Sequence, residues 1–222
     1  MDPDALVLLP RPRSIQVTDG QTAADCGKPR ITIDAEQIPH VQGYRLTLDK
    51  TGATIVAHDE AGAFYGQQTL KQILAQCPPG DAPALRIDDW PDFTERGVML
   101  DISRDKVPTL PTLKGMVDLL ATWKVNQLQL YTEHTFAYAG HEIVWKDASP
   151  VTAADIKALD AYCRDHHVQL VANQNSFGHM HRWLEHEQYL HLAEAPEGWV
   201  DPGGRRRAVP FSLCPLEPRC ID

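Results

Sequence analysis

The sequence lacks any apolar run that approaches the length of a membrane span, and it is poor in positive charge. A transmembrane helix needs about 20 consecutive apolar residues, and no stretch of the chain comes near that length. Aspartate and glutamate number 30 against 21 lysines and arginines, so the formal net charge is −9. Proteins that bind the phosphate backbone of nucleic acids concentrate positive charge instead. We therefore expect neither a membrane nor a nucleic acid among the partners.

The sequence also lacks the residue spacings of the common zinc and disulfide sites. Its five cysteines are odd in number and contain no C-x-x-C pair, which is unlike a thiolate zinc site or a disulfide framework. Cys214 and Cys220 are close enough in sequence to pair, and the sequence leaves that question open. His186 and His191 are five positions apart, whereas a zincin needs two histidines four positions apart on one helix face. We expect no metal and no cofactor.

Residues 1 to about 90 have the pattern of a small α+β domain. Alternating apolar and polar residues predict strands at 31–35, 44–49 and 53–59. Lys50-Thr51-Gly52 is a candidate hairpin turn between the last two strands. Asp59 is a candidate N-cap for a helix that starts near Glu60 and ends around Cys77, before a Pro-Pro-Gly breaker.

From residue 91 onward, strands and helices alternate. Strands are predicted at 97–102, 125–132 and 167–173, and amphipathic helices at 112–123, 153–166 and 180–194, with Thr152 as the N-cap of the second helix. Such alternation produces parallel strands, which we expect to be adjacent in chain order. The first strand is almost continuously apolar, as a strand covered on both faces would be. Three βα units cannot close an eight-stranded barrel of about 250 residues, so we expect an open α/β sheet or, preferably, an incomplete barrel.

Polar residues cluster where these three strands end. In parallel α/β proteins, functional residues collect at the carboxyl ends of the strands. The residues at these ends are Asp101, Ser103, Arg104 and Asp105; then Thr132, Glu133 and His134; then Asn173, Gln174, Asn175, Ser176 and His179. Aromatic side chains follow nearby at Phe136, Tyr138, Phe177 and Trp183. Polar groups beside aromatic rings suit a sugar, which has apolar faces and a hydroxyl edge.

Each of these candidates also has a purely structural explanation. Asp101 could cap a loop, and Glu133 and His134 could be exposed loop residues. Arg96, directly before the first strand, could be a surface charge. His179 could be a core histidine that is hydrogen-bonded to a carbonyl group.

Several motifs, in the same order, resemble glycoside hydrolase family 20, the β-N-acetylhexosaminidases. The stretch RGVMLDISRDKVPTLPTLKGMVDLLATWKVNQLQLY resembles the first βαβ unit of that family. TEHTFAYAGHEIVW and SPVTAADIKALDAYCRDHHVQLVANQNSFGHM resemble its second and third units. LLPRPRS and DEAGAFYGQQTLKQIL resemble the small domain that precedes the barrel. The resemblance covers nearly the whole chain, and EHTFAY and QNSFGHM are most similar to the hexosaminidase D-like branch.

The resemblance implies a fold and a reaction. The fold is a small zincin-like α+β domain at 1–90, followed at 91–222 by the first three or so βα units of a TIM (β/α)8 barrel. The reaction is exo-acting release of terminal N-acetylhexosamine from glycans, with retention and with assistance from the substrate's own acetamido group. Family members carry a catalytic Asp-Glu pair at the fourth strand. The only Asp-Glu dipeptide here is Asp59-Glu60, so we expect the pair after Asp222. The alternative is a non-catalytic carbohydrate-binding homologue or an inactive fragment.

The resemblance also implies roles for individual residues. Arg96 matches an arginine that holds sugar hydroxyls, Glu133 matches a carboxylate after the second strand, and His179 matches a histidine that supports the catalytic acid. Asn173 and Asn175 stand where many members carry acids. The expected substrate-binding set is Arg96, Asp101, Glu133, His134, Asn173, Gln174, Asn175 and His179.

Overall fold

The computed structural model describes residues 6–18, 26–104 and 106–220. Asp105 and Asp222, named above, lie outside these ranges. The chain forms two compact units that interleave in sequence. The first unit comprises 1–96, 116–126 and 166–168, and the second comprises 97–115, 127–165 and 169–222.

The first unit is built on a five-stranded mixed sheet. Its strands are β1 (Ser14–Val17), β2 (Arg30–Ile33), β3 (Tyr44–Asp49), β4 (Gly52–Ala57) and β5 (Leu85–Asp89). They lie in the order β1, β5, β3, β4, β2. All neighbours are antiparallel except β2 and β4, which are parallel. The predicted β3–β4 hairpin is confirmed, whereas β1 and β5 were not predicted.

One long helix, α1 (Glu60–Gln76), packs on this sheet and confirms the predicted helix. The Asp59 side chain accepts a hydrogen bond from the Gly62 backbone N–H at 2.8 Å, which satisfies one of the free donors at the start of the helix. Gly62 is required there, because a Cβ atom would lie 2.2 Å from the carbonyl oxygen of Gly43. Leu70 and Ile73 on α1 join the buried sheet residues in one apolar core.

A buried lysine lies in the same unit. Lys124 is 5% exposed and Asp89 is 8% exposed. The Lys124 Nζ donates to Asp89 Oδ2 at 2.8 Å and to the Tyr44 hydroxyl at 2.9 Å. Burial lowers the pKa of Lys124, and the Asp89 carboxylate opposes that shift. The lysine therefore compensates a carboxylate that would otherwise be buried without a cation.

The second unit contains three parallel strands: β6 (Gly97–Asp101), β7 (Gln127–Thr132) and β8 (Gln169–Gln174). They are adjacent in chain order, which confirms the predicted arrangement. On one face, Leu128 and Leu130 of β7 are buried. The prediction that β6 is covered on both faces is wrong, since Val98 is 37% exposed and Met99 is 60% exposed. No described residue covers the Met99 side chain fully.

The helices of the βα units are α2 (Leu110–Thr122), whose residues are divided between the two units, α3 (Glu142–Trp145), α4 (Ala153–Asp165), α5 (His181–Leu184) and α6 (Glu187–Leu190). Two of the three predicted helices of the βα units, α2 and α4, are confirmed, and α3 was not predicted. The Thr152 hydroxyl accepts from the Asp155 backbone N–H at 3.1 Å, as predicted for the N-cap of α4. No helix in residues 6–18, 26–104 and 106–220 is long and apolar enough to cross a bilayer.

The predicted helix at 180–194 is wrong, because the chain forms two four-residue helices there. His186 between them is extended, with φ −90° and ψ 132°. The break lets both Leu184 and Ala193 pack in one small core with Leu213. Beyond it lie the short strands β9 (Trp199–Val200) and β10 (Arg206–Arg207) and a 3-10 turn at Pro218–Cys220. Cys214 and Cys220 are free thiols.

We expect Lys124→Met to lower the free energy of unfolding by about 3–5 kcal/mol, because it leaves the Asp89 carboxylate buried without its cation. Urea unfolding followed by circular dichroism measures this change. Lys157→Met, at an exposed position of α4, is the matched control and should change stability by less than about 0.5 kcal/mol. An equally small effect of Lys124→Met would contradict the assignment.

Candidate active site

A single carboxylate is the centre of the site at the carboxyl ends of β6, β7 and β8. The Glu133 side chain, directly after β7, is 1% exposed. Its Oε1 accepts hydrogen bonds from Arg104 Nη1 at 2.7 Å and from the Tyr131 hydroxyl at 2.8 Å. His179 Nδ1 lies 3.3 Å from the same oxygen. Among the described residues, Oε2 accepts no hydrogen bond.

The backbone of Glu133 is fixed as firmly as its side chain. Its N–H donates to the Ser103 hydroxyl at 2.8 Å. Its carbonyl oxygen accepts from Trp183 Nε1 at 2.9 Å and from Gln174 Nε2 at 3.1 Å. These contacts come from the segments after β6 and after β8 and from the end of β8 itself. All three strands therefore position one glutamate.

Arg104 links two carboxylates and an aromatic ring. Its Nη1 lies 3.4 Å from Asp101 Oδ2 as well as 2.7 Å from Glu133. Its guanidinium carbon lies 5.5 Å from the centre of the Tyr131 ring, within the range of a cation–π contact. The Arg104 side chain is 51% exposed, so part of the guanidinium is available to a ligand.

His179 adopts a strained backbone conformation beside Glu133. Its φ of 56° is in the left-handed region, which costs a non-glycine residue roughly 1–2 kcal/mol. The imidazole lies 4.6 Å from the Phe211 ring and edge-on to the Tyr131 ring at 6.5 Å. The conformation directs the side chain to Glu133, and strain of this kind is concentrated at functional sites.

The polar residues at the end of β8 divide between two tasks. The Asn175 amide donates to the Tyr131 hydroxyl, which in turn donates to Glu133. The Gln174 Oε1 accepts from the Tyr138 hydroxyl at 2.9 Å. Asn173 instead contacts Gln129 and Met99 on the exposed face of the sheet. Burial raises the pKa of Tyr131, and the hydrogen bond to Glu133 raises it further, so the hydroxyl keeps its proton at neutral pH.

Aromatic side chains form a wall beside these amides. Phe136 and Tyr138 meet edge to face with ring centres 4.6 Å apart, and the Tyr138 and Trp183 rings are 5.9 Å apart. Phe177 is 53% exposed and contributes no ring contact among the described residues. Phe211, for which no sequence pattern predicts a role, packs on both His179 and His181.

Two predicted site residues lie elsewhere. His134 turns away from Glu133 into a separate cavity, where burial lowers the pKa of its imidazole. Arg96 precedes the first residue of β6 and so lies at the amino end of that strand, whereas Asp101 lies at its carboxyl end. The Arg96 guanidinium donates to the carbonyl oxygens of Lys124 and Phe93 at 2.8 and 2.6 Å.

The match of Arg96 to a sugar-binding arginine stays a prediction. Its guanidinium also donates to the Gln42 side chain at 2.9 Å and lies over the Tyr65 ring at 5.3 Å, so it holds the first unit together. Arg104 is the arginine that the structure places beside Glu133. In the sequence, Arg104 could be recognised as a site candidate because it lies three residues after Asp101, beyond the carboxyl end of the strand.

Comparison with known proteins agrees with this arrangement. Residues 11–90 match the family model for glycosyl hydrolase family 20, domain 2. A beta-hexosaminidase of Akkermansia muciniphila is 28% identical over 180 residues, which cover 71% of this chain and 35% of that protein. Residues 11–90 are therefore similar to domain 2 of glycoside hydrolase family 20, which supports a family 20 N-terminal portion. The similarity to the hexosaminidase D-like branch of family 20 stays a prediction.

Solved structures of family 20 proteins share the fold. A glycoside hydrolase family 20 beta-N-acetylglucosaminidase superposes with a TM-score of 0.76 at 25% identity, covering 98% of this chain and 53% of that chain. A Streptomyces plicatus beta-hexosaminidase variant, solved in complex with the product GlcNAc, superposes with a TM-score of 0.74 at 22% identity over 97% of this chain and 54% of that chain. The chain thus spans about half the length of these family 20 structures.

We expect His179→Gly to be more stable than His179→Ala by about 1 kcal/mol. Both substitutions remove the imidazole, but only glycine adopts a φ of 56° without strain. The free energies of unfolding in urea provide the measurement. At Lys157, inside α4, the order should reverse, with alanine the more stable by about 1 kcal/mol. The same order at both positions would show that His179 is not strained.

Proposed function

We propose that this chain is the N-terminal part of an exo-acting β-N-acetylhexosaminidase that releases terminal N-acetylhexosamine from glycans. Two findings support the proposal: the match of residues 11–90 to the family 20 domain 2 model, and relatives that are named beta-hexosaminidases. The Streptomyces relative with bound GlcNAc supports an N-acetylhexosamine glycoside as the substrate. A non-catalytic carbohydrate-binding homologue is the alternative, and no observation favours it.

The buried Glu133 with its partner Arg104 is the observation that carries the proposal. A carboxylate whose Oε2 accepts no hydrogen bond among the described residues is suited to accept one from a sugar hydroxyl. The half-exposed guanidinium beside it is suited to donate to a neighbouring hydroxyl. Together they would grip a pair of adjacent hydroxyls, and the wall of Phe136, Tyr138 and Trp183 would face the apolar side of the ring.

The other polar residues have supporting roles in this proposal. His179 and Tyr131 hold Glu133 in place, and Asn175 holds Tyr131. Asp101 orients Arg104 at 3.4 Å. Gln174 fixes both Tyr138 and the Glu133 backbone. For the sugar contacts we propose Arg104 in place of Arg96, whose guanidinium is engaged within the first unit.

We further propose that the chain comprises a small zincin-like domain at 1–90 and the start of a TIM (β/α)8 barrel at 91–222. The parallel order β6, β7, β8 supports the barrel, because consecutive βα units of a barrel are neighbours. The exposed Met99 face supports it as well, since the interior of a complete barrel is filled by side chains from all strands. Within the described residues, β8 pairs only with β7.

For the reaction we propose a retaining mechanism in which the substrate's acetamido carbonyl oxygen attacks the anomeric carbon. A glutamic acid would protonate the leaving oxygen, and a neighbouring aspartate would orient the acetamido group. Asp59-Glu60, the only Asp-Glu dipeptide in the chain, is the N-cap and first residue of α1, so it is not available for this task. We place the catalytic pair in residues that follow position 222, and His179 as a supporting residue beside it.

In the full-length protein, we expect Arg104→Gln to raise KM for p-nitrophenyl N-acetyl-β-glucosaminide and to lower kcat/KM by roughly tenfold to a few hundredfold. A charge-assisted hydrogen bond is worth about 1.5–3 kcal/mol, and each decade in rate corresponds to about 1.4 kcal/mol. Arg96→Gln is the matched control: it should lower the melting temperature and leave kcat/KM per folded molecule unchanged.

Three other results are informative. If Arg96→Gln loses activity at normal stability while Arg104→Gln keeps normal kcat/KM, then Arg96 is the arginine that holds the sugar hydroxyls, as the sequence resemblance implied. A full-length protein that binds N-acetylglucosamine without hydrolysing the glycoside would support the non-catalytic alternative. Failure of the sugar to bind at all would overturn the proposed function.

A further inference from the structure

We propose that a second cavity beside the candidate site binds an amino acid or short peptide that carries charges of both signs, and that it receives the group to which the sugar is attached. The assignment as an attached group rests on the proposed function. The preference for a ligand with both charges does not, because it follows from the cavity alone.

The cavity lies on the same edge of the second unit as the candidate site. It has a volume of about 630 Å³, which is within the usual range for small-molecule sites. Its walls come from the segments that follow all three strands: Lys106 after β6, His134 after β7, and Arg182 with Glu185 after β8. Each of these segments also contributes to the surroundings of Glu133.

Four charged side chains line this cavity, two of each sign. Lys106 and Arg182 are positive, and Asp147 and Glu185 are negative. None of the four forms a salt bridge within the part of the chain that the structure describes. By contrast, Arg104 in the neighbouring site is paired with two carboxylates. All four side chains are exposed, and a ligand that carries charges of both signs would complement them.

The remaining walls fit a peptide. His134 Nδ1 is buried and has no hydrogen-bond partner among the described residues. Burial lowers the pKa of this imidazole, and the Arg182 charge lowers it further. At neutral pH it is therefore an uncharged hydrogen-bonding group, which suits an amide. Ile143 and Val144 add an apolar wall.

The cavity and the candidate site are connected through the chain. His134 is the residue after Glu133, and consecutive Cα atoms lie about 3.8 Å apart. Trp183 of α5, next to Arg182, donates to the Glu133 carbonyl oxygen at 2.9 Å. This adjacency along the chain is the basis for assigning the attached group to the cavity.

The test compares three dipeptides that differ only in charge: glycylserine, N-acetylglycylserine and glycylserinamide. Binding to the 222-residue chain is measured by NMR titration at pH 7 and low ionic strength. We expect glycylserine to bind two- to fivefold more tightly than either blocked dipeptide, since one exposed ion pair contributes a factor of about 1.4 to 5. The difference should shrink in 0.5 M salt. Equal affinities, or no saturable binding of any dipeptide, would overturn the proposal.

Charge variants locate the site. Lys106→Gln with Arg182→Gln should abolish the advantage of the free carboxylate, and Asp147→Asn with Glu185→Gln should abolish that of the free ammonium group. Lys146→Gln and Glu187→Gln are matched controls, because both residues are exposed neighbours in sequence outside the cavity lining. If the controls abolish the preference as fully as the cavity variants, the dipeptide binds elsewhere and the proposal fails.

A last comparison separates this inference from the proposed function. In the full-length protein, O-(N-acetyl-β-glucosaminyl)serine should be hydrolysed with a lower KM than methyl N-acetyl-β-glucosaminide. Hydrolysis of both glycosides with equal KM values would contradict the subsite while leaving the function intact. If neither glycoside is hydrolysed but the preference for glycylserine is preserved, the proposed hexosaminidase function is contradicted. The cavity would then be a peptide-binding site that does not receive a group attached to the sugar.

Discussion

The cost of burying one carboxylate determines the arrangement of the second unit. Glu133 is 1% exposed, and an ionised carboxylate removed from water is expensive unless it is paired and hydrogen-bonded. Arg104 and Tyr131 meet that requirement by hydrogen bonds, and His179 Nδ1 lies 3.3 Å from the same carboxylate oxygen and 3.4 Å from Arg104 Nη2. Each of these groups is held in turn, by Asp101, by Asn175 and by a strained backbone. The segments that follow the three parallel strands are therefore fixed relative to one another by their shared contacts with Glu133.

Much of this arrangement follows from the sequence. The parallel order of β6, β7 and β8 follows from the alternation of strands and helices, because right-handed crossovers join parallel neighbours. The clustering of Glu133, His179 and Asn175 follows from the same topology, since the carboxyl ends of parallel strands meet at one edge. The N-caps Asp59 and Thr152 are local signals, and both were predictable from single residues.

Other features depend on contacts that are distant in sequence. Arg96 and Arg104 flank the same strand, and only the contacts of Arg96 with Lys124 and Gln42 show that its guanidinium is engaged within the first unit. His134 follows Glu133 directly, but both residues lie in the bend after β7, where no sequence pattern predicts that His134 lines a separate cavity. The segment at 180–194 has helical spacing, yet packing of Leu184 and Ala193 with Leu213 divides it. Phe211 could not have been found, because its contact with His179 leaves no local pattern in the sequence.

The central claim is that Glu133 and Arg104 act as one energetic unit. A double-mutant cycle with Glu133→Gln and Arg104→Gln, measured as the free energy of unfolding in urea, tests it most directly. Arg104→Gln alone leaves a buried carboxylate without its cation, whereas the double variant does not. The account predicts a coupling energy of about 1–3 kcal/mol, the range for residues in one buried network. Additivity within about 0.3 kcal/mol would show that the two residues are independent and would contradict the account.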